Sequence, residues 1–173
     1  MAEEERDELL TTYEREAVHV EMRDVYTTDI ERDRFRTWLI GEPLDPDAEV
    51  EWWRPWFELM GANLRAGKVL RRLRIVSEPV TPYIRFEWLD AAKLVEAGED
   101  VRWLTRKRAS TLLLPGNDYW MFDRRTVAFT HFSGDGHVLG HEITHDPEIV
   151  AQCASAFEAA WKLATPHSEF KPV

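Results

Sequence analysis

The chain has 173 residues, a formal net charge of −10, 44% apolar and 31% charged residues, and eight tryptophans, the composition of one folded domain. The charge argues against bulk nucleic-acid affinity, which comes mainly from Lys and Arg displacing phosphate counterions. No apolar run approaches the roughly 18 residues of a membrane span, the stretch Met1–Asp7 is acidic where a secretory signal would be basic, and the single Cys153 excludes an internal disulfide and thiolate metal clusters. These features fit a cytoplasmic protein.

From Glu3 to Tyr13 the charged stretch around Leu9 and Leu10 reads as a short solvated helix. Residues 17–22 alternate apolar and polar, placing Val18, Val20 and Met22 on one face of a strand. Thr28 or Asp29 is suited to cap a helix that runs to Leu39 and stops at Gly41, and the proline-containing residues 41–47 then read as an exposed loop. Because proline is best accommodated in a first turn, Pro55 places the start of the next helix near Arg54, with its end near Arg65 and Gly67. A basic strand over 69–76 follows, with Leu73 and Ile75 on one face, then a turn held by Pro79 and Pro82. Tyr83 to Ala97 forms a helix closed by Gly98, and 101–105, 119–123 and 126–132 form strands. The turn 133–136 leads into a strand over 137–144, and Asp146 or Thr144 caps a last helix from Pro147 to about Ala164. The order predicts an α/β protein: one domain over residues 1–173, with a mixed sheet, flanking helices, a C-terminal hairpin and a C-terminal helix.

Several patterns bear on chemistry. His137, His141 and His145 recur every four residues, but on a strand such positions lie about 13 Å apart, too far to share one ion. Pairing Phe132 with His137 sends His131 to the other face, so no metal is expected. Cys153 sits among alanines of a helix and reads as a core residue, Ser77, Ser110 and Ser133 lack a nucleophile elbow, and no phosphate-binding glycine loop occurs. No cofactor is implied. Trp52, Trp53 and Trp56 suit core packing or a partner-recognition patch, and Trp52 and Trp53 are the candidate partner contacts.

The basic charge is concentrated in the middle of the chain. Residues 1–64 carry 7 basic against 18 acidic side chains, residues 65–125 carry 13 against 8, and residues 126–173 carry 2 against 6. Arg72 and Arg74 alternate on one strand, and Tyr83 and Arg85 follow just after the next turn, where α/β sheets place ligand groups. Two readings stand: an anion site built on these arginines, or pairing of the arginines with local acids such as Glu78, Glu87 and Asp90.

The segments Arg72–Pro79, Tyr83–Glu87, Ala97–Glu99, Asp118–Asp123 and Ala160–Ala164 resemble the actinobacterial family of domain of unknown function 6879, over about residues 18–166. That resemblance implies a companion of helix-turn-helix regulators, encoded beside them in Streptomyces and relatives, with no established reaction. The order of basic strand, Trp-x-Phe-Asp strand, hairpin and final helix is also similar to phospholipase D-like domains. Those enzymes need His-x-Lys-x4-Asp; aligned on Asp123, this chain has Gly116 and Asp118 at the His and Lys positions.

The expectation is a non-catalytic regulatory accessory that binds a helix-turn-helix regulator, with a second copy of the chain as a further candidate partner. Arg72, Arg74, Tyr83, Arg85, Trp120 and Asp123 are the candidate residues for a small anionic ligand. The alternative is a hydrolase of phospholipase D-like descent working through Asp118, Asp123 or a histidine with a metal.

Overall fold

The computed structural model describes residues 2–27 and 31–173; Thr28 and Asp29, the expected caps of the second helix, lie outside the described residues. The elements are α1 (Ala2–Thr12), β1 (Glu16–Glu21), α2 (Arg32–Leu39), α3 (Pro46–Arg65), β2 (Val69–Val76), α4 (Pro82–Glu96), β3 (Asp100–Thr105), β4 (Asp118–Phe122), β5 (Thr126–Phe132), β6 (Val138–Thr144), α5 (Pro147–Leu163) and β7 (Thr165–Pro166). The seven strands form one sheet in the order β6-β5-β4-β1-β2-β3-β7. β1, β2 and β3 pair in parallel and the other neighbours are antiparallel. Parallel neighbours require crossovers, which α2 with α3 and then α4 supply; the antiparallel neighbours β4, β5 and β6 need only turns.

Strand alternation gives the sheet two different faces. Val18, Val20, Leu73, Ile75, Tyr119 and Met121 share one face and pack with Cys153, Phe157, Ala160 and Trp161 of α5. The Tyr119 hydroxyl donates to the Cys153 carbonyl at 2.9 Å, anchoring helix to sheet. The opposite face carries His19, Glu21, Arg72, Arg74, Trp103 and Trp120, with the register His19↔Arg72, Glu21↔Arg74, Arg74↔Trp103 and His19↔Trp120. This second face is the polar one, and α3 and α4 lie over it.

The third helix departs from expectation. It starts at Pro46 instead of Arg54, because Asp45 caps it by accepting from the Asp47 N–H at 3.0 Å and Pro46 occupies its first turn. Pro55 is therefore interior, where proline lacks the N–H that closes a helical hydrogen bond and costs about 3 kcal/mol. Packing of Trp53, Trp56, Phe57 and Met60 beneath the helix offsets that cost. Thr81 caps α4 through the Ile84 N–H and Asp146 caps α5 through the Glu148 N–H.

Two smaller differences concern the hairpin and an edge. Phe132 pairs with Val138, not His137, and a bulge brings His131 opposite Gly140. His131 bonds Glu142 while His141 meets Thr130, so these two histidines do point to opposite faces. The short edge strand β7 carries no periodic signal at two residues and is seen only through its pairing with Arg102 and Trp103. Gly98, at φ +108°, ends α4 in a backbone conformation that L side chains rarely adopt, and a Cβ there would collide with Leu64.

Candidate functional site

A cavity of about 440 Å³ opens between the polar face of the sheet and helices α3 and α4. Its floor is Arg72 and Arg74 of β2 with Glu21 of β1, and its helical wall includes Tyr83, Glu87 and Asp90 of α4. Trp52, Trp53 and Trp56 of α3 face it, and Tyr26 and Glu31 complete the rim. Arg72, Arg74 and Tyr83, read from the sequence as candidate ligand residues, and Trp52 and Trp53, read as candidate partner contacts, all line this one cavity. Trp120 lies next to it on the sheet, stacked on His19 at 3.9 Å with Arg72 5.7 Å from its ring centre. Arg85 is exposed on α4 and does not line the cavity.

Asp123 also lies elsewhere. It follows β4 at φ 51°, and its carboxylate accepts the backbone N–H groups of Glu14, Arg15 and Glu16 at 2.7, 2.8 and 2.9 Å. Partial burial works against the charged form, but these three donors hold the carboxyl below its ordinary range. Asp123 is thus a clasp on the chain leading into β1.

Within the cavity floor the guanidinium groups are met by carboxylates. Arg72 donates from Nε to Glu99 at 2.8 Å and from Nη1 to Glu21 at 2.9 Å, while Nη1 also meets His19 Nδ1 at 2.9 Å. Arg74 Nη2 lies 2.5 Å from Glu87 and 3.3 Å from Glu21. Glu99 accepts a second bond from Trp56 Nε1 at 2.8 Å, and Tyr83 donates to Glu31 at 2.6 Å. Behind the wall, Arg34 holds Glu49 and Asp90 and lies 4.8 Å from the Trp52 ring centre. Of the two sequence readings, pairing with acids describes the observed contacts, but Glu21 and Glu99 supply most of them. Glu87 is the one expected partner that takes part; Asp90 pairs with Arg34, and Glu78 is exposed.

The electrostatics follow from burial and these partners. Burial opposes the charge on Glu21, yet the guanidinium groups of Arg74 and Arg72 hold its carboxyl down at about 2. Burial keeps His19 neutral, and Arg72 reinforces this by donating to its Nδ1. Glu87 moves upward, first because it is buried and then because Glu31, Glu21 and Asp90 lie near it, against the pull of Arg74. Two nitrogens of Arg74, Nε and Nη1, and the indole Nε1 of Trp53 are buried with no acceptor. Arg74 itself is 5% exposed.

A second, smaller cavity of about 280 Å³ lies just past the C-terminal end of β1, lined by Arg23, Arg106, Gly116, Asn117 and Asp118 among others. Asp118 accepts the Met22 N–H at 2.9 Å and the Tyr26 hydroxyl, and burial raises its carboxyl to about 6. Among the described residues no group of three His, Cys, Asp or Glu side chains is arranged to hold a metal ion. The thiol of Cys153 is pushed up to about 11 by burial between α5 and the sheet.

Glu21, Glu99 and Arg34 escaped the sequence reading. Glu21 shares alternation with His19 on β1 and could have been placed on the polar face; its position beside Arg74 depends on the β1–β2 pairing, which a single sequence does not show.

Fold and site together define a single α/β domain with a seven-stranded mixed sheet and a buried guanidinium–carboxylate network on one face. The chain belongs to the family of domain of unknown function DUF6879, whose model matches residues 4–172. No curated protein sequence matches. Among solved structures, the chain is similar to TrmBL2, an archaeal chromatin protein described as showing a novel mode of DNA binding, at 13% identity and a TM-score of 0.47. That match covers 95% of this chain, which spans about half (49%) of the archaeal protein. It is also similar to Nuc, a phospholipase D family member from Salmonella typhimurium, at 12% identity and a TM-score of 0.45, over 93% of this chain and 89% of that one. Among the described residues no helix is long and apolar enough to cross a membrane.

Proposed function

We propose that the protein is a non-catalytic accessory to transcription regulation, which binds a helix-turn-helix regulator in the cytoplasm and carries a ligand site in the cavity between sheet and helices. The observation that carries the reading is the state of the ionisable groups at the site. Arg72 and Arg74 are engaged by Glu21, Glu87 and Glu99, His19 is stacked and held neutral, and Asp123 is committed to three backbone N–H groups. Catalysis by a nucleophile and base needs groups free to exchange protons with a substrate, and these are held in place by one another. The acidic N-terminal part of the chain, including exposed Glu4, Glu5 and Glu8 on α1, supplies a surface complementary to a basic DNA-binding protein.

Co-expression with the regulator encoded beside it tests the reading. A complex should co-purify at low salt, weaken at about 0.5 M salt, where screening lengths fall to a few ångströms, and be lost on reversing Glu4, Glu5 and Glu8 to Lys. Absence of a complex, or one indifferent to salt and charge reversal, contradicts it.

A second reading, a hydrolase, draws on Asp118: a carboxyl raised to about 6 beside Arg23 and Arg106 in a small cavity. A phosphodiesterase and esterase screen tests it, with turnover abolished by Asp118→Asn as the result in its favour.

A further inference from the structure

The charge of the main cavity points to the chemistry of what enters it, on the reading that the cavity is a binding site. Its lining holds four carboxylates, those of Glu21, Glu31, Glu87 and Asp90, against the two guanidinium groups of Arg72 and Arg74. Arg34 stands behind Asp90 but divides its donors between Asp90 and Glu49. An anion would meet these four carboxylates and would find most of the guanidinium donors already bonded at 2.5 to 2.9 Å, with only the two unpaired Arg74 nitrogens left to receive it. The cavity's carboxylates are not grouped for a bare metal ion: among the described residues no three His, Cys, Asp or Glu side chains are arranged to hold one. What the walls do offer is electron-rich aromatic faces. Trp52, Trp53, Trp56, Tyr26 and Tyr83 line the space, and these indoles already lie near guanidinium groups: Arg34 lies 4.8 and 5.6 Å from the ring centres of Trp52 and Trp53, and Arg72 of the cavity floor lies 5.9 Å from that of Trp56.

A second observation is independent of the acids. Arg74 lines the cavity, is 5% exposed, and has two nitrogens without an acceptor, and Trp53 Nε1 is in the same condition. Buried donors of this kind are rare in folded proteins, and a ligand oxygen is one way of satisfying them. We propose that the cavity binds a small organic ammonium ion carrying an oxygen acceptor, its cationic head against the tryptophans and carboxylates and its oxygen toward Arg74. The upward shift of Glu87 fits this charge balance: with no cation present, the crowded carboxylates favour a proton on one of their number.

The test is titration of the purified protein with choline chloride, read by tryptophan fluorescence and by calorimetry, against sodium chloride and inorganic phosphate at matched ionic strength. Choline should give a saturable response. Trp52→Leu, at the half-buried rim, and Glu87→Gln should each weaken it by about tenfold or more while the variants keep the wild-type circular dichroism spectrum. If Glu87→Gln does not fold, Trp52→Leu carries the comparison alone. No saturable choline response, or one unchanged in the folded variants, overturns the proposal. Saturable phosphate binding without choline binding overturns it too while leaving the cavity a ligand site. Choline binding by a protein that forms no complex with a regulator upholds the proposal and defeats the regulatory reading.

Discussion

Arg74 of β2 meets Glu87 of α4 at 2.5 Å, with both side chains more than nine-tenths buried. The contact joins sheet and helix directly over the cavity floor, and it governs what substitutions there will do. Arg74→Met leaves Glu87 and Glu21 without their shared cation and should cost about 3–5 kcal/mol. The Arg74→Met, Glu87→Leu double variant should recover much of that loss, because the buried charge left without a partner is the larger part of the penalty. Denaturant unfolding of the four proteins of this cycle measures the coupling.

Asp118 and Glu21 set opposite pH slopes. Asp118 is raised by burial from 3.8 to about 6, so the folded state holds its proton more tightly than the unfolded chain does. Its contribution to stability is therefore present below pH 4 and is lost as pH rises from about 4 through about 6. Glu21, held at about 2 against an ordinary 4.5, contributes stability that is present above about 4.5 and lost as pH falls toward 2. Thermal unfolding between pH 4 and 7 should show a decline in the wild type that is shallower in Asp118→Asn, the remaining slope coming from Glu87, which is also raised.

Asp123 clasps the chain leading into β1, and a variant pair tests that structural role. Asp123→Ala strands three backbone N–H groups and should cost about 1–3 kcal/mol. Asp123→Asn keeps one acceptor oxygen and suits the positive φ, so it should cost less at neutral pH. Its disadvantage relative to wild type should shrink in acid, as the depressed carboxyl of the wild type becomes protonated.

The buried thiol gives a simple kinetic prediction. Cys153 is 2% exposed and its thiol lies near 11, so a thiol reagent at pH 8 should react slowly with the native protein and at the ordinary rate in denaturant. Rapid labelling of folded protein would mean that α5 does not cover the sheet as described.

How legible all this was in the sequence depended on whether the signal was local. The strands at Val18–Met22 and Leu73–Ile75 and the α5 stripe follow from periodicity, and the structure has them. The start of α3 is set by the Asp45-Pro46 cap and not by Pro55, because tertiary burial of Trp53 and Trp56 overrides one interior proline. At the site, Arg72 and Arg74 stood out by alternation alone. Their partners Glu21 and Glu99 come from other elements, brought together by parallel pairing and by the end of α4, and no local pattern announces such neighbours. Asp123 looked like part of a site because it closes a Trp-x-Phe-Asp strand, while its clasp on residues 14–16 requires β1 and β4 to be adjacent.

The most direct measurement on the central claim, that this cavity is a cation-binding site, is nuclear magnetic resonance of the eight tryptophan indole N–H groups during a choline titration. The resonances of Trp52, Trp53 and Trp56 should shift together and saturate, while that of Trp161, on the opposite face of the sheet, stays in place. Indole resonances that do not move, or shifts confined to tryptophans outside the cavity, would contradict it.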